Sequence, residues 1–257
     1  MACVARNSVV RGLVLLALVG CSQPPPAARA NPHQLGEADQ AMLQGQWDRA
    51  AAQYESFLAE NPGDAQHAEV RLQLGKCRLA AGKPEAAIRS FDQALGEQPS
   101  APVRWEILFR RAIAVLQQGD PVRAVEGFRS VVAAPLSERG RSVTNDELHY
   151  EYATALFRAG SFGGGQAELK QCDPTGPYEK ELAVRLGMTG YSVQVGAFAT
   201  EDLARAEAAK LNAPIRQISG SRMLYLVLVG SFSRYDDAQK ELSRLLRQGY
   251  TEAFILP

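Results

Sequence analysis

Two octapeptides near the C-terminus, YSVQVGAF at 191–198 and YLVLVGSF at 225–232, carry Tyr, Val, Val, Gly and Phe at the same positions. Because successive side chains of a β-strand point to opposite faces, both copies place their Tyr and Val residues on one face. The other face carries Ser192, Gln194 and Gly196 in the first copy and Leu226, Leu228 and Gly230 in the second. The shared residues predict a common core, and the differing residues predict a second face with its own chemistry.

The segments that follow the two octapeptides also match each other. The first octapeptide is followed by an amphipathic helical pattern at 200–212 and a short apolar strand at 215–219. The second is followed by an amphipathic helical pattern at 233–249 and a short apolar strand at 252–257. This order predicts a split βαβ fold, βαββαβ, with a four-stranded antiparallel sheet. We expect the copied strands at the centre of the sheet, both helices on one face, and the face with Gln194 open to solvent.

This C-terminal segment resembles the sporulation-related repeat (SPOR) domain of bacterial envelope proteins. The resemblance rests on Y-x-V-Q-V-G-A/S-F at 191–198, V-x-V-G-x-F at 227–232 and A-F-I at 253–255, and it covers 190–257. It implies binding of septal peptidoglycan glycan strands without stem peptides, with Gln194 as the foremost contact. The other candidate contacts are Ser192, Gly196, Leu226, Leu228 and Arg222 on the same face or its hairpin. Neither tryptophan lies in this segment.

The middle of the chain repeats a second pattern with a period of 37 residues. Its markers are Gly45, Gly82 and Gly119, then Ala50, Ala87 and Ala124, then Tyr54, Phe91 and Phe128, with a looser fourth copy from Gly160. A glycine that ends one helix, followed by a helix with small and aromatic residues on one face, predicts stacked helical hairpins. The pattern over 33–175 resembles the tetratricopeptide repeat (TPR), although that repeat has a usual period of about 34 residues. The resemblance implies an all-α array that either binds an unidentified protein partner or acts as a spacer.

The fourth copy departs from the pattern because Gly163, Gly164 and Gly165 fall in its second helix. A phosphate-binding loop would require a preceding strand and a following Lys-Ser/Thr, and both are missing from the sequence here. We therefore expect a weakened terminal repeat. Residues 176–189 predict a short helix, which would cap the array, followed by a linker.

The first residues resemble a bacterial lipoprotein signal. Arg6 and Arg11 precede an apolar run at 13–19, and the run ends in LVGC at 18–21. The resemblance implies removal of residues 1–20 and lipidation of Cys21. The alternative is an ordinary secretory signal with a chance cysteine.

Residues 21–32 contain three consecutive prolines and predict an extended spacer with a reach of roughly 30 Å. Ser22 stands where an Asp would retain a lipoprotein in the inner membrane. We therefore expect a lipid-anchored protein of the cell envelope, in the outer membrane and facing the periplasm, with septal enrichment. No later apolar stretch predicts a transmembrane helix.

Charge and residue types disfavour two other functions. The 28 basic and 28 acidic residues balance, so no strong field attracts nucleic acid. An RNA-recognition fold shares the predicted topology, but it needs exposed aromatic residues on its central strands, where this chain has Ser, Gln and Leu. His33, His67 and His149 are scattered, and no nucleophile, metal or cofactor motif accompanies them. A glycan hydrolase is thus a poor fit, and we expect no catalysis, cofactor or metal.

Two questions remain open at this level. Cys77 and Cys172 either form a disulfide or, as their helical positions favour, remain buried thiols. The protein is either a glycan-binding division protein whose repeats recruit a partner, or a repeat scaffold of outer-membrane assembly that the C-terminal domain tethers to the wall.

Overall fold

The structure, a computed structural model, describes residues 32–218 and 223–257. Cys21 and Arg222 lie outside the described residues. The N-terminal part is helical, with α1 (Pro32–Leu43), α2 (Trp47–Glu60), α3 (His67–Ala80), α4 (Pro84–Gly96), α5 (Ala101–Gln117), α6 (Pro121–Val132), α7 (Leu136–Arg139), α8 (Asn145–Arg158), α9 (Phe162–Leu169) and α10 (Glu179–Arg185). The C-terminal part contains β1 (Tyr191–Phe198), α11 (Glu201–Leu211), β2 (Ile215–Ile218), β3 (Leu224–Phe232), α12 (Tyr235–Arg247) and β4 (Phe254–Leu256).

The four predicted hairpins are confirmed as α1/α2, α3/α4, α5/α6 and α8/α9. The glycine between the helices of each pair has a positive φ: 70° at Gly45, 70° at Gly82, 95° at Gly119 and 81° at Gly160. A residue with a side chain rarely adopts this left-handed conformation, which ends many helices. The spacing of these glycines therefore sets the spacing of the hairpins.

Small and aromatic residues interlock within each hairpin, as the repeat pattern predicts. Ala87 and Phe91 are fully buried in α4. Gly75 in α3 faces Phe91 so closely that a Cβ atom there would lie 2.2 Å from the aromatic ring. The array is thus close-packed at the positions that repeat in the sequence.

The fourth hairpin is shorter than the others. Its second helix, α9, has 8 residues, whereas α2, α4 and α6 have 12 to 14. The additional short helix α7, between the third and fourth hairpins, was not predicted.

Both remaining cysteines are free and buried, as their helical positions favour. Burial raises the pKa of the Cys77 thiol and of the Cys172 thiol to about 11. These thiols are therefore protonated and unreactive at neutral pH.

The predicted sheet is confirmed, with antiparallel strands in the order β2-β3-β1-β4. The two copied octapeptides form the central strands β1 and β3. Helices α11 and α12 cover one face, where Ala204 and Leu245 pack against the valines of the central strands.

A bulge in β1 corrects the predicted assignment of its faces. Gln194 pairs with Leu228, and Gly196 pairs with Val227. Between these two pairs β1 advances by two residues, whereas β3 advances by only one. The extra residue reverses the alternation beyond Gln194. Gly196 therefore lies on the helix-covered face, whereas Ala197 shares the face of Gln194; the prediction for Gly196 was wrong on this point.

The array and the sheet domain share a hydrophobic core around Tyr191. The ring is fully buried, and it packs against Phe157 and Phe162 of the array and Tyr235 of α12. Its hydroxyl donates a hydrogen bond of 2.9 Å to the Phe157 carbonyl oxygen. Tyr191 thus joins the two parts of the molecule.

None of the helices within residues 32–218 and 223–257 combines the length and the apolar character needed to cross a bilayer. Over the same ranges, no group of three or more His, Cys, Asp and Glu side chains is placed to hold a metal ion.

Candidate functional site: a groove between the sheet and α10

The second face of the sheet, predicted to be open, is partly covered by α10. Val184 of α10 forms a buried cluster with Leu226, Leu228 and Leu256, and Met188 packs against this cluster. Leu226 and Leu228 retain only 3% and 6% exposure. Helix α10 carries apolar residues on two opposite faces, Leu182 toward the array and Val184 toward the sheet. The prediction of an open face was wrong over the area that Val184 covers.

Ser192 is also buried, at the end of β1 nearest the array. Its exposure is 6%, and its Oγ donates a hydrogen bond of 2.8 Å to the Gly230 carbonyl oxygen. Ser192 is therefore committed to the fold of the sheet rather than presented on a free surface.

Beyond the Val184 contact, α10 and the sheet leave a groove of about 440 Å³. Its floor comprises Gln194, Ala197, Ile218, Leu224, Leu226 and Phe254. Its wall includes Tyr150 of α8 and Lys180, Glu181 and Arg185 of α10. The volume lies within the roughly 300–1,000 Å³ typical of small-molecule sites.

Gln194 lies on this floor beside an aromatic side chain. It is half-buried and pairs across the strands with Phe254 of β4, which is 47% exposed. The sequence reading missed Phe254. Its neighbours Ala253 and Ile255 pack under the helices, so strand alternation could have placed Phe254 on the opposite face with Gln194.

The groove wall is held by contacts within the array. The Tyr150 ring stacks on Tyr178 with 4.2 Å between centroids, and the Arg185 guanidinium lies 4.7 Å above the Tyr150 ring. Arg185 Nη1 donates a 2.9 Å hydrogen bond to Thr154 Oγ1. Burial raises the pKa of the Tyr150 phenol, so its hydroxyl stays protonated at neutral pH.

The structure therefore divides the six predicted glycan contacts. Gln194 and Leu226 line the groove, Leu228 is buried against Val184 of α10, Ser192 is buried and bonded to Gly230, and Gly196 lies on the other face. Arg222 lies outside the described residues. An apolar floor with one aromatic ring and one amide can pack against the C–H face of a sugar while it hydrogen-bonds hydroxyl groups.

His67 and His149 make contacts within the array rather than marking a second site. The His67 ring lies 2.7 Å from the Asn61 carbonyl oxygen, and the His149 ring lies 2.7 Å from a Glu168 oxygen. Both contacts connect elements within the array. His33 falls among the first residues of α1.

A helical-repeat array joined to a sheet domain with a ligand-sized groove is typical of binding proteins built from two parts. Comparison with known families agrees: the SPOR domain model matches residues 187–257, and the tetratricopeptide repeat model matches 35–102 and 72–138. The chain contains TPR repeats followed by a SPOR domain. SPOR domains are a peptidoglycan-binding family, and TPR repeats mediate protein interactions.

Three solved structures match part of the chain. MamA has 19% identity and a TM-score of 0.46, over 58% of this chain and 80% of its own. YrrB, described as a TPR protein with an unusual peptide-binding site, has 15% identity and a TM-score of 0.45, over 60% and 73%. A putative kinesin light chain from Podosopora anserina has 18% identity and a TM-score of 0.48, over 60% and 82%. At these TM-scores the likeness carries no functional argument. No curated protein matches the chain.

Proposed function

We propose that this protein binds denuded peptidoglycan glycan strands at the division septum through the SPOR groove, while its TPR array holds a protein partner. The observation that supports the binding site most strongly is the pairing of Gln194 with the exposed ring of Phe254 on one face of the SPOR sheet. An amide beside an aromatic ring suits a sugar with hydroxyl groups and apolar ring faces.

The shape of the groove favours strands without stem peptides. The helix α10 bounds one side of the floor, and Val184 contacts the sheet there. A peptide branch on that side of a bound strand would collide with the helix. A bare strand has no such branch and can lie along the floor.

A substitution of Gln194 tests the site. Each hydrogen bond of this kind contributes about 0.5–1.5 kcal/mol, so we expect Gln194→Ala to weaken binding roughly two- to ten-fold. The measurement is co-sedimentation of the full chain with amidase-treated sacculi. Gln239→Ala removes an exposed amide from α12, on the other side of the domain, and is the matched control. Equal binding by both variants would contradict the assignment of Gln194.

Localisation of a fluorescent fusion of the full chain separates the two roles of the protein. A glycan-binding division protein gathers at septa, and Gln194→Ala weakens this enrichment. If the wild type binds sacculi but spreads evenly around the cell, the alternative holds: a TPR scaffold of outer-membrane assembly that the SPOR domain tethers to the wall.

Lipidation of Cys21 would hold the protein on the outer membrane, and the proline-rich residues 21–32 would let the domains reach the wall. This proposal is supported by the LVGC motif at the end of the apolar run. Several acyl chains anchor a protein far more firmly than one. We expect Cys21→Ser to move the exported protein from the membrane fraction to the soluble fraction, whereas retention of the variant in the membrane fraction would contradict lipid anchoring at this cysteine.

A further inference from the structure

The groove is a composite site, because its wall belongs to the TPR side of the molecule. Leu182 of α10 is buried in the cluster that contains Phe157 and Leu169. Gln166 Nε2 also donates a 2.8 Å hydrogen bond to the Arg185 carbonyl oxygen. The array therefore fixes α10 in place, and α10 presents its charged side chains along the SPOR floor.

Among the charged residues of the wall, one positively charged side chain has no hydrogen-bond or ion-pair partner within the described residues. Arg185 is engaged with Tyr150 and Thr154. Glu181 is the one acidic residue that lines the groove, and it makes no hydrogen bond or ion pair with Arg185 within the described residues. Lys180 is exposed and makes neither a hydrogen bond nor an ion pair within the part of the chain that the structure describes. Its ammonium group is available to a ligand in the groove.

A denuded glycan strand carries the complementary charge. In intact peptidoglycan the lactyl group of each muramic acid forms an amide with the stem peptide. Hydrolysis of that amide frees a carboxylate on the strand itself, and this carboxylate is ionised at neutral pH. Removal of the peptide therefore adds a negative charge to the sugar chain as well as freeing space.

We propose that Lys180 binds this lactyl carboxylate, so that a residue outside the SPOR domain contributes to the preference for denuded strands. This inference rests on the proposed glycan binding and adds to it a residue of α10 that binds the charged group of the strand. Lys180 is a specificity-determining residue, because a strand with its peptides attached has no lactyl carboxylate to offer.

Charge removal at Lys180 tests the proposal in the full chain. An exposed ion pair contributes little, so Lys180→Ala should weaken binding to purified denuded strands roughly two- to five-fold at low salt. This difference should shrink at high salt because ions screen an exposed pair. Lys170→Ala removes another exposed lysine, next to α9 and outside the groove, and should bind like the wild type.

Blocking the lactyl carboxylates of the strands provides an independent test of the proposal. Denuded strands amidated with a carbodiimide and a neutral amine should bind the wild type as weakly as unblocked strands bind Lys180→Ala. The blocked strands should show no further loss with Lys180→Ala. Equal affinity of Lys180→Ala and Lys170→Ala for unblocked strands would overturn the proposal, and so would undiminished binding of blocked strands by the wild type.

The same series separates this inference from the function on which it rests. If Gln194→Ala weakens binding and Lys180→Ala does not, glycan binding stands and only the role of Lys180 falls. If the wild type binds neither denuded nor blocked strands, both proposals fall together.

Discussion

At the scale of single residues, the three consecutive glycines of α9 have different environments. A Cβ atom on Gly165 would lie 2.6 Å from the buried ring of Phe157, whereas a Cβ atom on Gly163 would meet nothing within 4 Å. Neither residue has a positive φ. Gly165 is therefore needed for the close approach of α9 to α8, and Gly163 only lowers helix propensity.

We predict opposite effects of alanine at these two positions. Gly165→Ala should destabilise the protein by about 1–3 kcal/mol because Phe157 cannot move without disturbing the shared core. Gly163→Ala should stabilise it by about 0.4–1 kcal/mol, since it restricts the unfolded chain. Thermal unfolding measures both effects, with a shift of about 2–4 °C per kcal/mol for a chain of this size. Equal shifts in the same direction would contradict the packing of α9.

At the scale of elements, α10 is a wall of the groove rather than a removable cover. Its Leu182 faces the array and its Val184 faces the sheet, so both sides of the helix are packed. A helix held only at one side could swing away to open the whole face. The two packed sides indicate that α10 stays in place when a ligand enters the groove.

A charge at Val184 tests this interpretation. Val184→Asp places a carboxylate among the leucines of the sheet and should detach this side of α10, because an unpaired buried charge costs several kcal/mol. We expect glycan affinity to fall by roughly ten-fold or more as the wall with Lys180 is displaced. Val122→Asp, at a valine that is 61% exposed, controls for the added charge. Tighter binding by Val184→Asp would show instead that α10 obstructs the site.

The elements differ in how far the sequence could predict them. The hairpins follow from glycines such as Gly45 and from the periodic alanines and aromatics, which are local signals. The bulge in β1 depends on pairing with β3, so the face of Gly196 could not be read from simple alternation. The covering of Leu226 by Val184 is a contact between segments far apart in sequence, and no local pattern specifies it.

At the scale of the whole molecule, the array and the SPOR domain are expected to unfold as one unit. Tyr191 is the first residue of the octapeptide, yet its ring and its hydroxyl contact the array. Its counterpart Tyr225 lies on β3 and packs within the SPOR domain. Two residues at the same place in the repeated strand thus serve different parts of the fold.

The matched pair Tyr191→Phe and Tyr225→Phe measures this coupling. Tyr191→Phe should lower the free energy of unfolding by about 0.5–1.5 kcal/mol because it removes a buried hydrogen bond between the two parts. Tyr225→Phe should have little effect. Calorimetry should show a single transition for the wild type. Two separate transitions in the wild type, or equal effects of the two variants, would contradict a shared core.

The central claim is that denuded glycan binds in the groove between the SPOR sheet and α10. Hydrogen–deuterium exchange of the full chain, with and without soluble denuded glycan strands, tests it most directly. We predict slower exchange in β1 around Gln194, in β4 around Phe254 and in α10, with no change in α1 to α4. Unchanged exchange at saturating glycan, or protection confined to the TPR array, would contradict the claim.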